Sequence, residues 1–484
     1  MAKKTTGSER ADASKTSTSK TSAAKTSAAK SGITKTVKAA TGRTATGMLP
    51  SNAQAGGMPT ATEIVAALAQ GKTTAVDVIE GYLARIAERE KVVQAFAVVD
   101  AAGARALAKQ ADARRKTSSK LEPLHGVPVA FKDIVNTAGM ATEYNSPIYK
   151  GHVPTVDASV VALSRVAGGI VLGKTVTCEF ANRAPGPTTN PHNAAHTPGG
   201  SSQGSAAAVA AGFVPLAIGT QTSGSVIRPA SYCGVHGFKG SWGEISYAGV
   251  KLTSATLDTI GLYARSLPDI ALFQAVLTGQ APTNLLASNV GGLRVGLHRG
   301  PFYDQAKPET EAALAATAKA LEKAGATVTD FDLPAHFTGL NDAVRWISAW
   351  EGARSLAWEK SFHRDRISPE LRDGRINDGE VCSPDLYRDR CRLAEICRIE
   401  FEDFFDDIDV LLTPAAPGEA PVGLKETGTA VFNMMWTALH TPCVTLPGHV
   451  GPKGLPVGVQ LVGKRGCDRQ LLEIASWVEK VALR

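Results

Sequence analysis

The chain has 484 residues, of which 43% are apolar, 20% charged and 6% aromatic. That length and composition suffice for a large buried core and exclude both a small disulfide-stapled scaffold and a wholly disordered protein. The formal charge of +7 would suit a nucleic-acid binder, but residues 1–47 hold ten Lys/Arg against two Asp/Glu, leaving 42 basic and 43 acidic residues elsewhere. The body is close to neutral, and specific nucleic-acid binding by it is not expected.

Residues 1–57 are Lys, Ser, Thr, Ala and Gly with almost nothing large and apolar. Lysines recur at 15, 20, 25, 30 and 35, a step that turns each one about 140° around a helix from the last, so neither a basic stripe nor an apolar face forms. Such a segment buries too little surface to offset its ordering entropy, and a disordered tail is predicted. It is acidic-poor and Ser-rich but lacks the Arg content and amphipathic face of a transit peptide.

Order is predicted to begin near Pro59. Thr60-Ala61-Thr62-Glu63 reads as a capping box before Ile64, Val65 and Leu68, and Thr74-Ala75-Val76-Asp77 as a weaker one before Ile79, Leu83 and Ile86. Two short helices follow from this, then a third over about 100–114. Val127-Pro-Val-Ala-Phe131 reads as a strand buried on both faces. Helical and strand-like runs alternate from there, ending with a strand over Leu455–Val462 and a helix over Gln470–Ala482. The pattern predicts an α/β domain over 58–484, with one large sheet covered by helices. Residues 340–407, helical, charged and aromatic, are predicted to form a cap-like region. Ala206–Gly219 is too short for a membrane span and is broken by Pro215. Seven cysteines without a CxxC pair predict neither a disulfide framework nor a zinc ribbon, and a reducing cytoplasm is the expected setting.

Two short motifs invite a function. Gly168-Gly-Ile-Val-Leu-Gly173-Lys174-Thr175 satisfies the phosphate-loop pattern, yet a helical run precedes it and its centre reads as a strand, the reverse of what that loop requires. Gly200-Ser201-Ser202-Gln203-Gly204 satisfies the nucleophile-elbow pattern and would make Ser202 a nucleophile with His236 or His298 as base. A loop, not a strand, leads into it. A broader feature surrounds the second motif: from Ala184 to Ile227, 44 residues pass without Asp, Glu, Lys or Arg. Small, uncharged and polar is the composition expected where backbone N–H groups approach a ligand.

Three further runs, Gly199-Gly-Ser201-Ser202-x-Gly204-Ser205, Gly219-Thr-x-Thr-x-Gly224-Ser225-x-x-Arg228-Pro-Ala230 and Cys233-Gly-Val-x-Gly-Phe-Lys239, resemble the amidase signature. Upstream, Leu124-His-Gly-Val-Pro-Val-x-x-Lys132-Asp133 is similar to the same family, as are Leu257-Asp258-Thr259-x-Gly261 and Gly454-Leu-Pro-Val-Gly-Val-Gln-Leu-Val-Gly463. The matches run in the family's order over roughly 60–475 and leave the tail outside.

The resemblance implies the amidase signature fold, a large mixed twisted sheet covered by helices on both faces, and a cofactor-independent, metal-free serine amidohydrolase working through an acyl-enzyme. It implies Ser225 as nucleophile, Ser201, on a cis peptide, as the bridging serine, and Lys132 as base. Backbone N–H groups of Thr222, Ser223, Gly224 and Ser225 are implied to form the oxyanion hole, with Ser202 and Thr220 as supporting hydrogen-bonders. The chemistry is coherent, because a lysine acts as a base only when neutral, and burial beside an uncharged loop depresses its pKa. Read without the resemblance, Lys132 is a strand-end lysine paired with Asp133. Arg228, the first charge after the uncharged stretch, must pair with an internal carboxylate or with a substrate carboxylate, as the malonamidase-like spacing from Ser225 suggests. Gln203 and the Gln221-Thr-Ser223-Gly-Ser run depart from the family's usual glycine and Asp-Thr-Gly-Gly-Ser. The predicted partners reduce to a small amide substrate, such as an aryl or aliphatic amide, a carbamate or a dicarboxylic monoamide, and at most a second copy of the chain. The alternatives are an amidotransferase component that supplies ammonia and a binding protein on an inactive scaffold.

Overall fold

The computed structural model describes residues 55–118, 120–285 and 292–483. The predicted tail lies outside the described residues except for positions 55–57, and there Ala55 is already buried. The folded body therefore begins a few residues earlier than the capping box alone indicates.

That box forms as read. Glu63 N–H donates to Thr60 Oγ1 (3.3 Å) and Thr60 N–H to Glu63 Oε2 (2.7 Å), opening the helix Ala61–Ala69. The buried Asp269 also accepts from the N–H groups of Ala61 and Thr62, each at 2.9 Å, so a carboxylate remote in sequence faces the positive end of this helix. Thr74 caps the next helix through Asp77 N–H (3.0 Å). This helix, Ala75–Val93, runs 19 residues rather than being short, because Tyr82, Leu83, Ile86 and Val93 prolong its buried stripe through a charged surface.

The strands are β1 Phe96–Val99, β2 Pro128–Lys132, β3 Ile170–Thr175, β4 Leu216–Gln221, β5 His236–Lys239, β6 Thr259–Ala264, β7 Arg294–Leu297, β8 Thr327–Asp330, β9 Val410–Pro414, β10 Cys443–Val450 and β11 Pro456–Val462. They join in one sheet of order β1-β3-β2-β4-β6-β5-β10-β11-β9-β7-β8. The sheet is mixed: β2 is parallel to β3 and β4, and β7 to β8 and β9, while the other pairs are antiparallel. β2, β3, β4, β6 and β11 are buried at every residue, which is why they read as apolar runs without alternation. The helix Gln203–Ala210 packs on β4, and the C-terminal helix Asp468–Ala482 on β10.

From Leu340 to Asp406 the chain is almost wholly helical, with helices Leu340–Ser355, Ala357–His363 and Pro384–Asp403 and a π-helical turn over Glu370–Ile376. Leu340, Val344, Ile347, Ala394, Cys397 and Phe401 form an apolar cluster of their own that reaches Leu411 of β9. Among the described residues no helix is long and apolar enough to cross a membrane.

Candidate active site

Because β2 and β4 run parallel, their C-terminal ends open onto the same edge of the sheet, where α/β folds place their binding loops. The register Phe131↔Ile218 sets Lys132 level with Gly219. Its Nζ lies 2.8 Å from Thr220 Oγ1 and 2.8 Å from Ser201 Oγ. Ser201 follows a cis Gly200–Ser201 peptide bond at the entry to the helix Gln203–Ala210. Lys132 is fully buried, and loss of hydration pulls its pKa from 10.5 down to about 7, with Cys178 and Asp258 opposing the shift.

Lys132 is not paired with Asp133, which corrects the reading from the dipeptide alone. Successive side chains of a strand leave on opposite faces. Asp133 instead meets Lys174 on β3 at 3.3 Å, and Lys174 also donates to Val135 O at 2.7 Å. The lysine of the phosphate-loop pattern is thus a buried structural cation. The helix Ser159–Val166 precedes its strand, as the pattern argument required.

β4 leads into the loop 222–226, and Ser225 stands on it partly exposed, its hydroxyl without a hydrogen-bond partner among the described residues. None of the four amide N–H groups from Thr222 to Ser225 finds an acceptor among the described residues. Their surroundings hold the loop without using those donors. Thr222 Oγ1 donates to Asp258, which also accepts from Thr253 and Ser254 N–H at 2.7 and 3.0 Å. Thr437 Oγ1 donates to Ser223 O at 3.1 Å, and Tyr263 OH to Ser225 O at 3.0 Å. Gln221 Oε1 accepts from Val226 N–H (2.9 Å) and Ile227 N–H (3.2 Å), while its Nε2 donates to Thr437 Oγ1 (3.1 Å). A Cβ on Gly224 would lie 2.5 Å from Asn433 Oδ1, so only glycine fits there.

Ser202 is fully buried, donates to Thr220 O and accepts from Thr220 N–H, both at 3.1 Å. Its hydroxyl braces β4, and it has neither the free hydroxyl nor the preceding strand of an elbow. The histidines weighed as its bases lie elsewhere: His236 meets Glu479 at 2.9 Å and His298 meets Phe331 O at 2.8 Å. His192 meets Cys233 O at 2.9 Å.

Arg228 is buried and has no carboxylate partner among the described residues, which speaks against an internal salt bridge as its explanation. Its Nη2 donates to Gly200 O at 2.6 Å and to Thr427 Oγ1 at 3.1 Å, and its Nε has no acceptor. Gln203, the other departure from the family pattern, is buried with its Oε1 3.9 Å from Cys178 Sγ.

Ser201, Ser225, Thr222, Ser223 and Arg228 open into one cavity of about 650 Å³, whose other wall includes Arg345, Ser348, Arg375 and Asp378 from the helical segment. The loop struts were not foreseen as such. Gln221 stood out as a departure and Asp258 sat in a recognised run, but nothing in the sequence marked Thr437.

A mixed eleven-stranded sheet whose parallel strand ends carry a buried lysine–serine contact beside an open polar cavity defines an α/β enzyme of the amidase-signature fold. The chain belongs to the amidase family, whose model, described as Amidase, matches residues 77–472. It is 33% identical over 461 residues to a glutamyl-tRNA(Gln) amidotransferase subunit from Roseiflexus castenholzii, covering 86% of this chain and 94% of the relative. Among solved structures it resembles a protein described in work on the evolutionary origins of an s-triazine catabolic enzyme, with TM-score 0.80 and 29% identity over 88% of this chain and 100% of the other. It also resembles the native peptide amidase from Stenotrophomonas maltophilia, with TM-score 0.75 and 26% identity over 88% and 97%.

Proposed function

We propose that this amidase-family enzyme is a serine amidohydrolase that cleaves an amide, or a related carbamate or ester, through an acyl-enzyme on Ser225. The observation that carries the reading is Lys132: a buried amine held near pKa 7, 2.8 Å from Ser201, which lines the same cavity as Ser225. At that pKa about half of the amine is neutral at pH 7. In the neutral form the Lys132–Ser201 contact reverses, with Ser201 O–H donating to the lysine lone pair. Ser201 then passes its own proton to Lys132 and accepts the Ser225 proton as Ser225 Oγ attacks the substrate carbonyl carbon. The carbonyl π electrons move onto oxygen, where the unused N–H groups of 222–225 receive the charge. Collapse breaks the C–N bond, and the proton on Lys132 returns through Ser201 to the departing amine. Water repeats the sequence on the ester, with the proton going back to Ser225. Arg228, held by Gly200 O, faces an acceptor close to the scissile carbonyl.

A second reading draws on the curated relatives: the same acyl transfer would release ammonia to a partner protein, as an amidotransferase does. One experiment tests the common core and separates the two. The purified chain is offered a panel of amides, esters and urethanes, with intact-mass detection of the acyl adduct. Turnover by the chain alone, with the adduct lost in Ser225→Ala and kept in Ser202→Ala, supports the hydrolase. Acylation without steady turnover until partner proteins are added favours the amidotransferase, and an adduct that survives Ser225→Ala rejects both.

A further inference from the structure

The loop that follows β5 returns to the strand carrying Lys132. Val250 pairs antiparallel with Val135, Lys251 N–H donates to Ile134 O at 2.9 Å, and Asn136 N–H donates to Gly249 O at 3.0 Å. On the other side, Ser159 N–H donates to Ala248 O at 3.0 Å. Tyr247 opens this ribbon and is thereby fixed beside the end of β2, its ring packed against the core with part of it still exposed. Its phenol reaches two residues behind the site: the Thr220 hydroxyl donates to the phenol oxygen, and the phenol O–H donates to Asp258. Burial, with the Asp258 charge adding to it, holds the phenol pKa well above its usual value, so the phenol keeps that proton at neutral pH.

These contacts join others at the site. Lys132 Nζ donates to Thr220 Oγ1 at 2.8 Å, and Asp258 accepts from Thr222 Oγ1 and from the N–H groups of Thr253 and Ser254. The result is one directed chain from Lys132 through Thr220 and Tyr247 to Asp258, in which each hydroxyl points its hydrogen away from the lysine. Direction matters because of what a neutral amine offers. It has two N–H donors and a single lone pair, and that lone pair must face Ser201 if Ser201 is to give up its proton. A threonine hydroxyl rotates freely to suit its partners. Without the phenol as acceptor, Thr220 would turn its hydrogen onto the lysine lone pair and occupy it. The other group that acts on Lys132 is Cys178, from the segment after β3, and Arg375 of the helical wall acts on Asp258. Neither makes a hydrogen bond with Thr220 among the described residues.

We infer that Tyr247 is a positioning residue for the base: by accepting the Thr220 proton and donating its own to Asp258, it leaves the Lys132 lone pair free for Ser201. The same phenol links the base to the oxyanion loop, because Asp258 also holds Thr222. Tyr247 touches no reacting atom and acts only through Thr220 and Asp258. The inference rests on the reading of Lys132 as the base for Ser225, but the protonation of Lys132 that it controls is measurable without turnover.

The test is Tyr247→Phe, which keeps the packed ring and removes the middle link of the chain. A fall of about 3- to 15-fold in kcat is expected, the range of one hydrogen bond, with KM within about twofold of the wild type. The midpoint of the pH–rate profile should move down from about 7 by about 0.5–1, because Thr220 then donates to the neutral amine and stabilises it. A loss of packing alone would lower kcat and leave the midpoint in place. Carbon-13 NMR of the lysine Cε groups, with the Lys132 signal identified by its absence in Lys132→Met, reads the same midpoint without substrate. In Thr220→Val, which has no hydroxyl to orient, adding Tyr247→Phe should change kcat by less than about twofold. If no substrate is turned over but the NMR midpoint falls in Tyr247→Phe, the hydrolase reading fails and the positioning role stands. The inference is overturned if that midpoint is unmoved or rises, if Tyr247→Phe keeps the wild-type kcat, or if the two substitutions lower kcat independently.

Discussion

The two walls of the cavity are built from opposite materials. One, from Gly200 to Ile227, has no charge before Arg228 and is held by backbone and hydroxyl hydrogen bonds to Gln221, Asp258, Tyr263 and Thr437. The other is helical and carries Arg345, Arg375 and Asp378. The difference teaches a division of labour. An oxyanion loop needs immobile donors and no competing charge, so its supports are neutral or lie behind it. A wall that selects among substrates has to present charge, and helical side chains can do so without disturbing the backbone that performs the chemistry. Changes on the first wall are therefore expected to appear in kcat, and changes on the second in KM or in substrate preference.

The largest effect expected is at Lys132. Lys132→Ala should lose about 10³-fold or more in kcat while keeping its circular dichroism. In the wild type, activity should rise with pH through about 7, because the neutral amine is the base. Stability has a matching sign. The folded state holds this lysine at about 7 and the unfolded chain at 10.5, so between those values the unfolded chain binds the extra proton and the Lys132 contribution to stability increases with pH. A rate profile flat from pH 6 to 9 would place the base elsewhere and erase the contrast between the walls.

Gln221 sharpens the comparison. Its amide accepts from two N–H groups at the start of the helix Ile227–Cys233 and donates to the hydroxyl that holds Ser223. Gln221→Glu keeps the acceptor, loses the donor and adds a negative charge beside a loop that must receive one. A fall of about 10- to 100-fold in kcat is expected, with KM nearly unchanged. The pH profile should also move upward, since an anion near Thr220 and Lys132 favours the protonated amine. An effect on KM alone would show that this loop selects rather than reacts.

Much of this site was legible in the sequence, and for a physical reason. Short-range rules found the Thr60 cap, the apolar runs of β2 and β11 and the uncharged stretch, since capping, burial and ligand approach each constrain residues close together in the chain. The juxtaposition of Lys132 with Ser201 came from family resemblance, because local spacing says nothing of two groups 69 residues apart. What stayed hidden depends on tertiary pairing. Thr437 reaches Ser223 across 214 residues, and Asp133 chose Lys174 over its neighbour because strand geometry, not adjacency, decides which faces meet. Arg375 was equally silent, since a lone arginine in a charged helical stretch looks like any solvated residue until the structure sets it on the cavity without a hydrogen bond or ion pair among the described residues.

The smallest effect expected tests the helical wall at its weakest point. Arg345 and Asp378 meet at 3.3 Å, with 51% and 22% of their side chains exposed. A pair so open to water contributes about 0–1 kcal/mol, and Arg345 also lies over the Trp346 ring, 4.9 Å from its centroid. Arg345→Gln should therefore leave the melting temperature within about 2–3 °C of the wild type. It frees Asp378 to act on Arg375, which weakens the positive field of that wall. Steady-state kinetics should then show KM for a carboxylated amide rising by about two- to fivefold at low salt, with the difference shrinking as salt screens it, and kcat should hold. A drop in kcat at constant KM would mean that the helical wall enters the chemistry after all, and the division between the two surfaces would have to be abandoned.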